Sequence, residues 1–222
     1  MRELIRFKFT PVALATALAI GHLDAAYAED DTAVQRTRQW HVTLSRSTWM
    51  DTSLPAFPKN VVTGNIRLEN AYFWSGGVSR VLIPHFDIPV LGHLLPGNSL
   101  EVEGQVVKHF GKQDHVEATG ALVIRSGDVH PFEPLSINVA WANGFSYAFS
   151  HPAYEMGPQG ESGINSRKFQ YHMGFETEFT HSHLPSTHFI IKLHHRSGIY
   201  GLISPRKTGS NYIGAGLRWD IQ

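Results

Sequence analysis

The sequence contains no cysteine and no excess of charge of either sign. Without cysteine, an exported chain cannot be held by disulfides, and neither a thiolate metal site nor a cysteine nucleophile is available. Because 19 basic and 19 acidic residues cancel, no overall field favours nucleic acid as a partner. Beyond the N-terminal segment, no apolar run approaches the roughly 18 residues of a membrane helix. The chain is therefore either soluble or crosses a membrane with strands, which look only half apolar.

The N-terminal segment has the three parts of a signal peptide. Basic side chains precede an apolar stretch at residues 11–20, and Ala26-Tyr27-Ala28 places small residues at the −3 and −1 positions of a cleavage site. We therefore expect residues 1–28 to be removed. The remainder, residues 29–222, is long enough for a single domain and leaves little room for two.

The rest of the chain alternates between apolar and polar residues with a period of two, and no helical pattern is sustained. In the last such segment, Ile213, Ala215 and Leu217 alternate with glycine and arginine. This period predicts strands whose two faces meet different surroundings. Successive segments of this kind start near residues 40, 68, 100, 116, 137, 169, 189 and 213.

Two features of these segments favour a membrane barrel. The polar face mixes small and charged residues, as a narrow lumen does, and the apolar face is rich in Trp, Tyr and Phe near the strand ends, as interfacial girdles are. A soluble lipocalin-like barrel or sandwich is the alternative, because alternation there separates core from solvent. We predict an all-β fold, an eight-stranded antiparallel transmembrane β-barrel of the outer-membrane type, in a Gram-negative bacterium. Eight strands leave too little lumen for a water-filled pore.

A histidine and a serine end the seventh predicted strand. His195 and Ser197 are two residues apart, so they share a face, and parity puts them on the lipid-facing side with Phe189, Ile191 and Leu193. A histidine can take the proton of a serine hydroxyl and make it a nucleophile. If the first strand runs outward, the seventh ends at the lipopolysaccharide leaflet, beside ester-linked acyl chains. The plainer interpretation is an apolar row that reaches headgroup level, where polar residues are ordinary.

On these residues the chain resembles the lipid A 3-O-deacylases of the PagL type. That family consists of eight-stranded outer-membrane barrels with a membrane-facing His-x-Ser pair near the outer end of strand seven, and an acidic residue at the start of strand eight. The pair matches His195 and Ser197. The segment 209–218 resembles the family's last strand, and the segment 101–111 has the family's pattern as well.

The resemblance implies a serine esterase that removes the 3-O-linked acyl chain of lipid A without a metal or cofactor. Ser197 would attack the ester carbonyl, and His195 would act as general base and then as acid. Asn211 stands where the family has its acid and would orient the imidazole. If the residue numbers that pair between the last two strands add up to an even number, Asn211 lies on the face of His195 and within its reach. Gly198 replaces the family's Asn after the serine, and loop amides would hold the oxyanion.

Other polar residues give weaker signals. Arg196, Arg206 and Lys207 lie near the same strand end and are candidates for binding lipid A phosphates, with an ordinary solvated loop as the alternative. His181 and His183 share a face, but no third ligand stands nearby, so a polar turn is favoured over a metal site and no metal is expected.

A barrel without catalysis is the alternative function. It would have a structural or lipopolysaccharide-binding role in the same membrane, with no reaction that depends on Ser197. In both cases the expected partner is lipopolysaccharide, and a homodimer is one of the assemblies that the sequence leaves open.

Overall fold

The computed structural model describes residues 40–88, 97–155, 166–205 and 208–221, so the expected signal peptide lies outside the described part. Helical segments are short there, and no helix within these four ranges is long and apolar enough to cross a membrane. They are a 3-10 turn at Leu54–Ala56, helix α1 at Phe57–Val62 and a 3-10 turn at Ile199–Gly201. The strands are β1 (Trp40–Met50), β2 (Leu68–Phe86), β3 (Asn98–Gly111), β4 (Val116–Arg125), β5 (Val129–Phe132), β6 (Leu135–Ala148), β7 (Phe169–His181), β8 (Thr187–Ser197) and β9 (Gly209–Ile221).

Eight of these strands close into a ring of antiparallel neighbours. The first and last strands pair along their length, from Trp40 opposite Ile221 to Trp49 opposite Tyr212, and β4 pairs directly with β6. Among the described strands, the short β5 pairs with β6 alone and lies outside the ring. The seventh and eighth barrel strands are therefore β8 and β9. The predicted eight-stranded antiparallel barrel is confirmed.

The two faces of the sheet are reversed relative to those of a soluble barrel. Apolar side chains point outward, where Val106 is 60% and Leu122 51% exposed. Charged side chains point inward, where Glu101 and Arg218 are each 2% exposed. A soluble barrel would bury the apolar face and hydrate the charges. An apolar outer surface around a polar lumen is the arrangement of a barrel that crosses a bilayer.

Two arginines pair with three carboxylates at the end of the lumen where β1 begins and β9 ends. Arg125 donates to Glu101 at 3.0 Å, to Glu176 at 2.8 Å and to Glu178 at 3.1 Å. Arg218 donates to Glu101 at 2.9 Å and to Glu178 at 3.2 Å. Since unpaired buried charges are strongly destabilising, these bonds allow the lumen to be both narrow and charged. They join β3, β4, β7 and β9 across the barrel.

Removal of one arginine from this network should destabilise the barrel. Arg125→Met leaves Glu101, Glu176 and Glu178 with too little positive charge, and we expect the free energy of unfolding to fall by about 3–5 kcal/mol. The measurement is the urea dependence of the fast-migrating folded band on unboiled gels. Arg80→Met is the matched control, because Arg80 is exposed and its guanidinium lies over the Trp40 ring at 5.3 Å. Equal midpoints for the two variants would contradict a stabilising role for the network.

Candidate active site

The His-x-Ser pair lies at the end of the barrel opposite Trp40 and Ile221, where β1 begins and β9 ends. There β8 ends at Ser197 and β9 begins at Gly209. The connection at residues 51–67 lies at this same end, and so do the described parts, 149–155 and 166–168, of the connection between β6 and β7. Because outer-membrane barrels carry their longer loops on the extracellular side, we infer that this is the outer end, where the seventh strand is expected to end if the first strand runs outward.

His195 and Asn211 are direct partners in the register of β8 and β9. Directly paired residues of two antiparallel strands point to the same face, so both side chains point outward. The distance from His195 Nδ1 to Asn211 Oδ1 is 2.6 Å. The amide group of Asn211 also donates from Nδ2 to the carbonyl oxygen of Thr52 at 2.7 Å. Asn211 thus bridges the imidazole and the connection that follows β1.

The bond to Thr52 determines which tautomer of His195 the site favours. A backbone carbonyl can only accept, so it holds the Nδ2 side of the Asn211 amide and turns Oδ1 toward the imidazole. Oδ1 is likewise only an acceptor, so Nδ1 of His195 must carry the proton. Nε2 is then left with a lone pair, which is the state that a general base requires.

Thr52 is held in place by the connection between β1 and β2. Asn60, on α1, donates from its side chain to Thr52 Oγ1 at 3.3 Å. The amide of Asp51 donates to the carbonyl of Arg67 at 2.9 Å and so closes the base of this connection. Sequence reasoning missed Thr52, because a backbone acceptor far along the chain leaves no residue-type signal.

Ser197 stands two residues beyond His195 on the same outward face. It is paired with Tyr171 on β7 and with Gly209 on β9. Both His195 and Ser197 are partly exposed, while the residues on either side of them in the chain are buried. The amide nitrogen of Ile199 lies 3.5 Å from Ser197 Oγ.

The loop after Ser197 folds tightly around Gly198. The carbonyl of Gly198 accepts from the amide of Ile203 at 3.0 Å. A Cβ atom at position 198 would lie 2.3 Å from the carbonyl oxygen of Ser204, so no side chain fits there without a rearrangement. The Asn that the resemblance expects at this position is therefore sterically excluded. Position 198 therefore offers an oxyanion only its backbone amide.

Two residues of the same loop have left-handed backbone conformations. Ile199 has φ 47° and Tyr200 φ 53°. This region is unfavourable for non-glycine residues, above all for β-branched ones, and costs roughly 1–3 kcal/mol per residue. Such strain persists only where the surroundings enforce it, and it is concentrated at functional sites.

Of the three basic residues proposed for phosphate binding, Arg196 alone lies within the described residues. The expectation that Arg196 binds lipid A phosphates was wrong, because this side chain is 0% exposed and points into the lumen. It forms an ion pair with Glu155 and donates from Nε to Ser146 Oγ at 2.8 Å. The physical reason is alternation: a residue between two outward side chains must point inward. Arg206 and Lys207 lie outside the described residues.

An aromatic surface flanks Ser197 on the lipid side. Phe145 and Phe169 stack with ring centroids 5.3 Å apart, and Tyr171 meets Phe145 edge-on at 6.3 Å. Since Tyr171 is the strand neighbour of Ser197, this patch begins beside the hydroxyl. Aromatic rings exposed to lipid in this way can pack against acyl chains.

Comparison with known proteins supports the fold. No family model and no curated protein matches the sequence. Among solved structures, the chain is similar to the outer membrane enzyme PagL, with TM-score 0.50 and 7% identity over 81% of this chain and 99% of that one. The comparison also gives Neisserial surface protein A (TM-score 0.46, 11% identity, 83% and 97% covered) and LpxR from Salmonella typhimurium (0.36, 11%, 83% and 68%). The fold is that of an outer-membrane barrel.

The geometry predicts that Ser197 reacts as a nucleophile toward a fluorophosphonate probe. His195 is two positions before Ser197 on the same outward face, and the tautomer with a proton on Nδ1 leaves Nε2 to take the hydroxyl proton, so the folded protein should be labelled on Ser197. Ser197→Ala and His195→Ala should lose the label, as measured by in-gel fluorescence and peptide mass spectrometry. Ser182→Ala, in the exposed turn at the other end of the barrel, is the control and should label like wild type. Labelling that persists in Ser197→Ala would show that the nucleophile is another residue.

Proposed function

We propose that the protein is an outer-membrane serine esterase that removes the 3-O-linked acyl chain from the lipid A part of lipopolysaccharide. The observation that carries this proposal is the His195–Asn211 pair beside Ser197, at the outer end of the barrel and on its lipid-facing side. A nucleophile in that position meets the outer leaflet rather than water or the lumen. The resemblance to PagL-type deacylases and the barrel fold support the same substrate.

The reaction follows from the roles of the three side chains. Ser197 Oγ attacks the ester carbonyl while His195 Nε2 takes the hydroxyl proton. The negative charge on the carbonyl oxygen is stabilised by backbone amides of the loop that begins at Gly198. His195 then returns the proton to the departing sugar hydroxyl, and the acyl group remains on Ser197. A water molecule, deprotonated by His195, hydrolyses this acyl-enzyme and releases a 3-hydroxy fatty acid.

Asn211 replaces the acid that the resemblance places beside the histidine. An amide held by Thr52 fixes the tautomer of His195, as a carboxylate would. It does not offer a full negative charge to the imidazolium that forms during the reaction. We therefore infer a working but slower arrangement, similar in logic to the Cys-His-Asn triad.

The acyl chain would lie along the lipid-facing surface next to Ser197. The aromatic patch of Phe145, Phe169 and Tyr171 supplies an apolar wall on the β7 side. On the loop side, Tyr200 is 87% exposed and lies close to the serine in the chain. Aromatic side chains at this depth suit the boundary between acyl chains and sugar headgroups.

A barrel without catalysis, with a structural or lipopolysaccharide-binding role, is the second candidate. The observation that favours it is Asn211, because the resemblance expects an acid at that position. It predicts the same fold and the same membrane, but no dependence of lipid A structure on Ser197.

Lipid A from cells that express the protein tests the reaction. Wild type should produce a species lighter by one 3-hydroxyacyl group in mass spectrometry, and Ser197→Ala should not. Ser182→Ala serves as the control and should give the same spectrum as wild type. If wild-type lipid A is indistinguishable from that of cells with an empty vector, the protein is the non-catalytic barrel.

Substitutions of Asn211 should form an ordered series in the same assay. Asn211→Ala removes a hydrogen bond to a group that becomes charged, which is worth about 1.5–3 kcal/mol, so the rate should fall roughly 10- to 100-fold. Asn211→Glu should be more active than Asn211→Ala, because a glutamate of pKa about 4.3 is ionised at neutral pH and can accept from the imidazole, although it cannot donate to the Thr52 carbonyl. Full activity in Asn211→Ala would mean that Asn211 serves only to bond the loop at Thr52.

A further inference from the structure

A cluster of buried histidines lies inside the barrel toward its outer end. His109 is near the end of β3, His115 precedes β4 and Glu117 lies within β4, all on the lumen side of one hairpin. One ligand atom from each of the three can be chosen so that all lie within 4.8 Å of one another. His194, on β8, and His172, on β7, complete the cluster, with ring centroids 4.5 Å apart.

The ring nitrogens of this cluster lack the partners that the rest of the lumen provides. Within the described ranges, neither nitrogen of His115 nor of His172 has a hydrogen bond, and Nδ1 of His109 and of His194 has none. Every one of these rings is at most 3% exposed. A buried polar atom without a partner costs about 1–3 kcal/mol, so several together call for a ligand or ordered water. Among Arg125, Arg218 and the three carboxylates of the network at the other end of the lumen, Nε of Arg218 is the one buried side-chain atom without a partner within the described ranges.

The donor set matches a borderline transition metal ion. Imidazole nitrogens and one carboxylate suit Zn²⁺, whereas Ca²⁺ and Mg²⁺ require mostly oxygen ligands. Zinc at about 2.0–2.1 Å from tetrahedral ligands holds them roughly 3.3 Å apart. His109 Nε2 and Glu117 Oε2 are already 2.9 Å apart. The His115 ring is stacked on His109, with 11° between the ring planes and centroids 4.0 Å apart, so it has to rotate out of the stack to direct a nitrogen lone pair at the same ion.

Hydrogen bonds to the other oxygen of Glu117 would orient its carboxylate toward a bound metal ion. His194 Nε2 lies 3.1 Å from the other oxygen of Glu117, and Ser146 donates to the same oxygen at 2.8 Å. Bonds of this kind orient a ligating carboxylate.

We propose that His109, His115 and Glu117 bind one zinc ion in the lumen, with His194 holding the carboxylate of Glu117 through the bond to its other oxygen. The ion would fix the β3–β4 hairpin, which this bond joins to β8, on the inner side of the strand that carries His195 and Ser197. Its role is structural, since the outward face and the lumen are separated by the sheet. The proposal does not depend on the esterase activity.

The test uses the mature protein without a polyhistidine tag, refolded in detergent with zinc chloride and then dialysed. We expect one zinc per chain by elemental mass spectrometry, and an upward shift of the urea midpoint when zinc is present. His115→Gln should lose the bound zinc and the shift, because it removes a ligand whose ring nitrogens form no hydrogen bond within the described residues. His130→Gln, at an exposed histidine outside the cluster, should retain both.

A second control separates the lumen site from surface binding. His183→Gln removes one histidine of the exposed pair in the β7–β8 turn and should leave the zinc content unchanged. No zinc in wild type, zinc retained by His115→Gln, or zinc lost in His183→Gln would overturn the proposal. Should His115→Gln fail to give a folded band, the Co²⁺ form of the wild type decides. A tetrahedral visible spectrum with nitrogen and oxygen ligands supports the lumen site, and its absence overturns it.

Discussion

Closure of the sheet by β1 and β9 is the constraint on which the rest of the structure depends. Once the ring is closed, each residue of a strand points either to lipid or into a lumen only wide enough for side chains. The lumen of this barrel is charged, so its stability rests on direct pairing, as between Arg125 and Glu101 at 3.0 Å. The outward face has to be apolar, and any polar side chain on it needs a local reason. His195 and Ser197 are such side chains.

The two faces of β8 cooperate at the outer end. On the lumen side, Arg196 of β8 forms an ion pair with Glu155 and a hydrogen bond with Ser146. These contacts join β8 to β6 and to the loop that follows β6. On the lipid side, His195 is bonded to Asn211. A catalytic group is effective only when its orientation is fixed beforehand. The buried arginine that cannot reach lipid phosphates therefore contributes to the site by making its strand rigid.

Much of this arrangement could be predicted from the sequence, because period-two alternation encodes which face each residue occupies. It predicted the eight barrel strands and the shared face of His195 and Ser197. The position of Asn211 opposite His195 depends on the pairing of the last two strands, which the structure supplies. The same rule places Arg196 in the lumen, so its assignment to phosphate binding conflicted with the pattern that identified its neighbours. Thr52 could not be predicted, since its contribution is a backbone carbonyl that any residue carries.

The histidine cluster in the lumen could not be predicted from the sequence either. Alternation indicates that His109 and His194 each point inward, but not that both approach Glu117. That proximity depends on the stagger of strands around the closed barrel, which is set by register and not by residue type. The short strand β5 was also missed, because its four residues are too few to show a period.

The central claim is that Ser197 hydrolyses an ester of lipid A at the outer face of the barrel. Its most direct test is fatty-acid release by the purified protein from lipid A in mixed micelles made with oxygen-18 water. The account predicts a 3-hydroxy fatty acid that carries the label in its carboxyl group, released by wild type and not by Ser197→Ala. No release by wild type, or equal release by the two proteins, would contradict it.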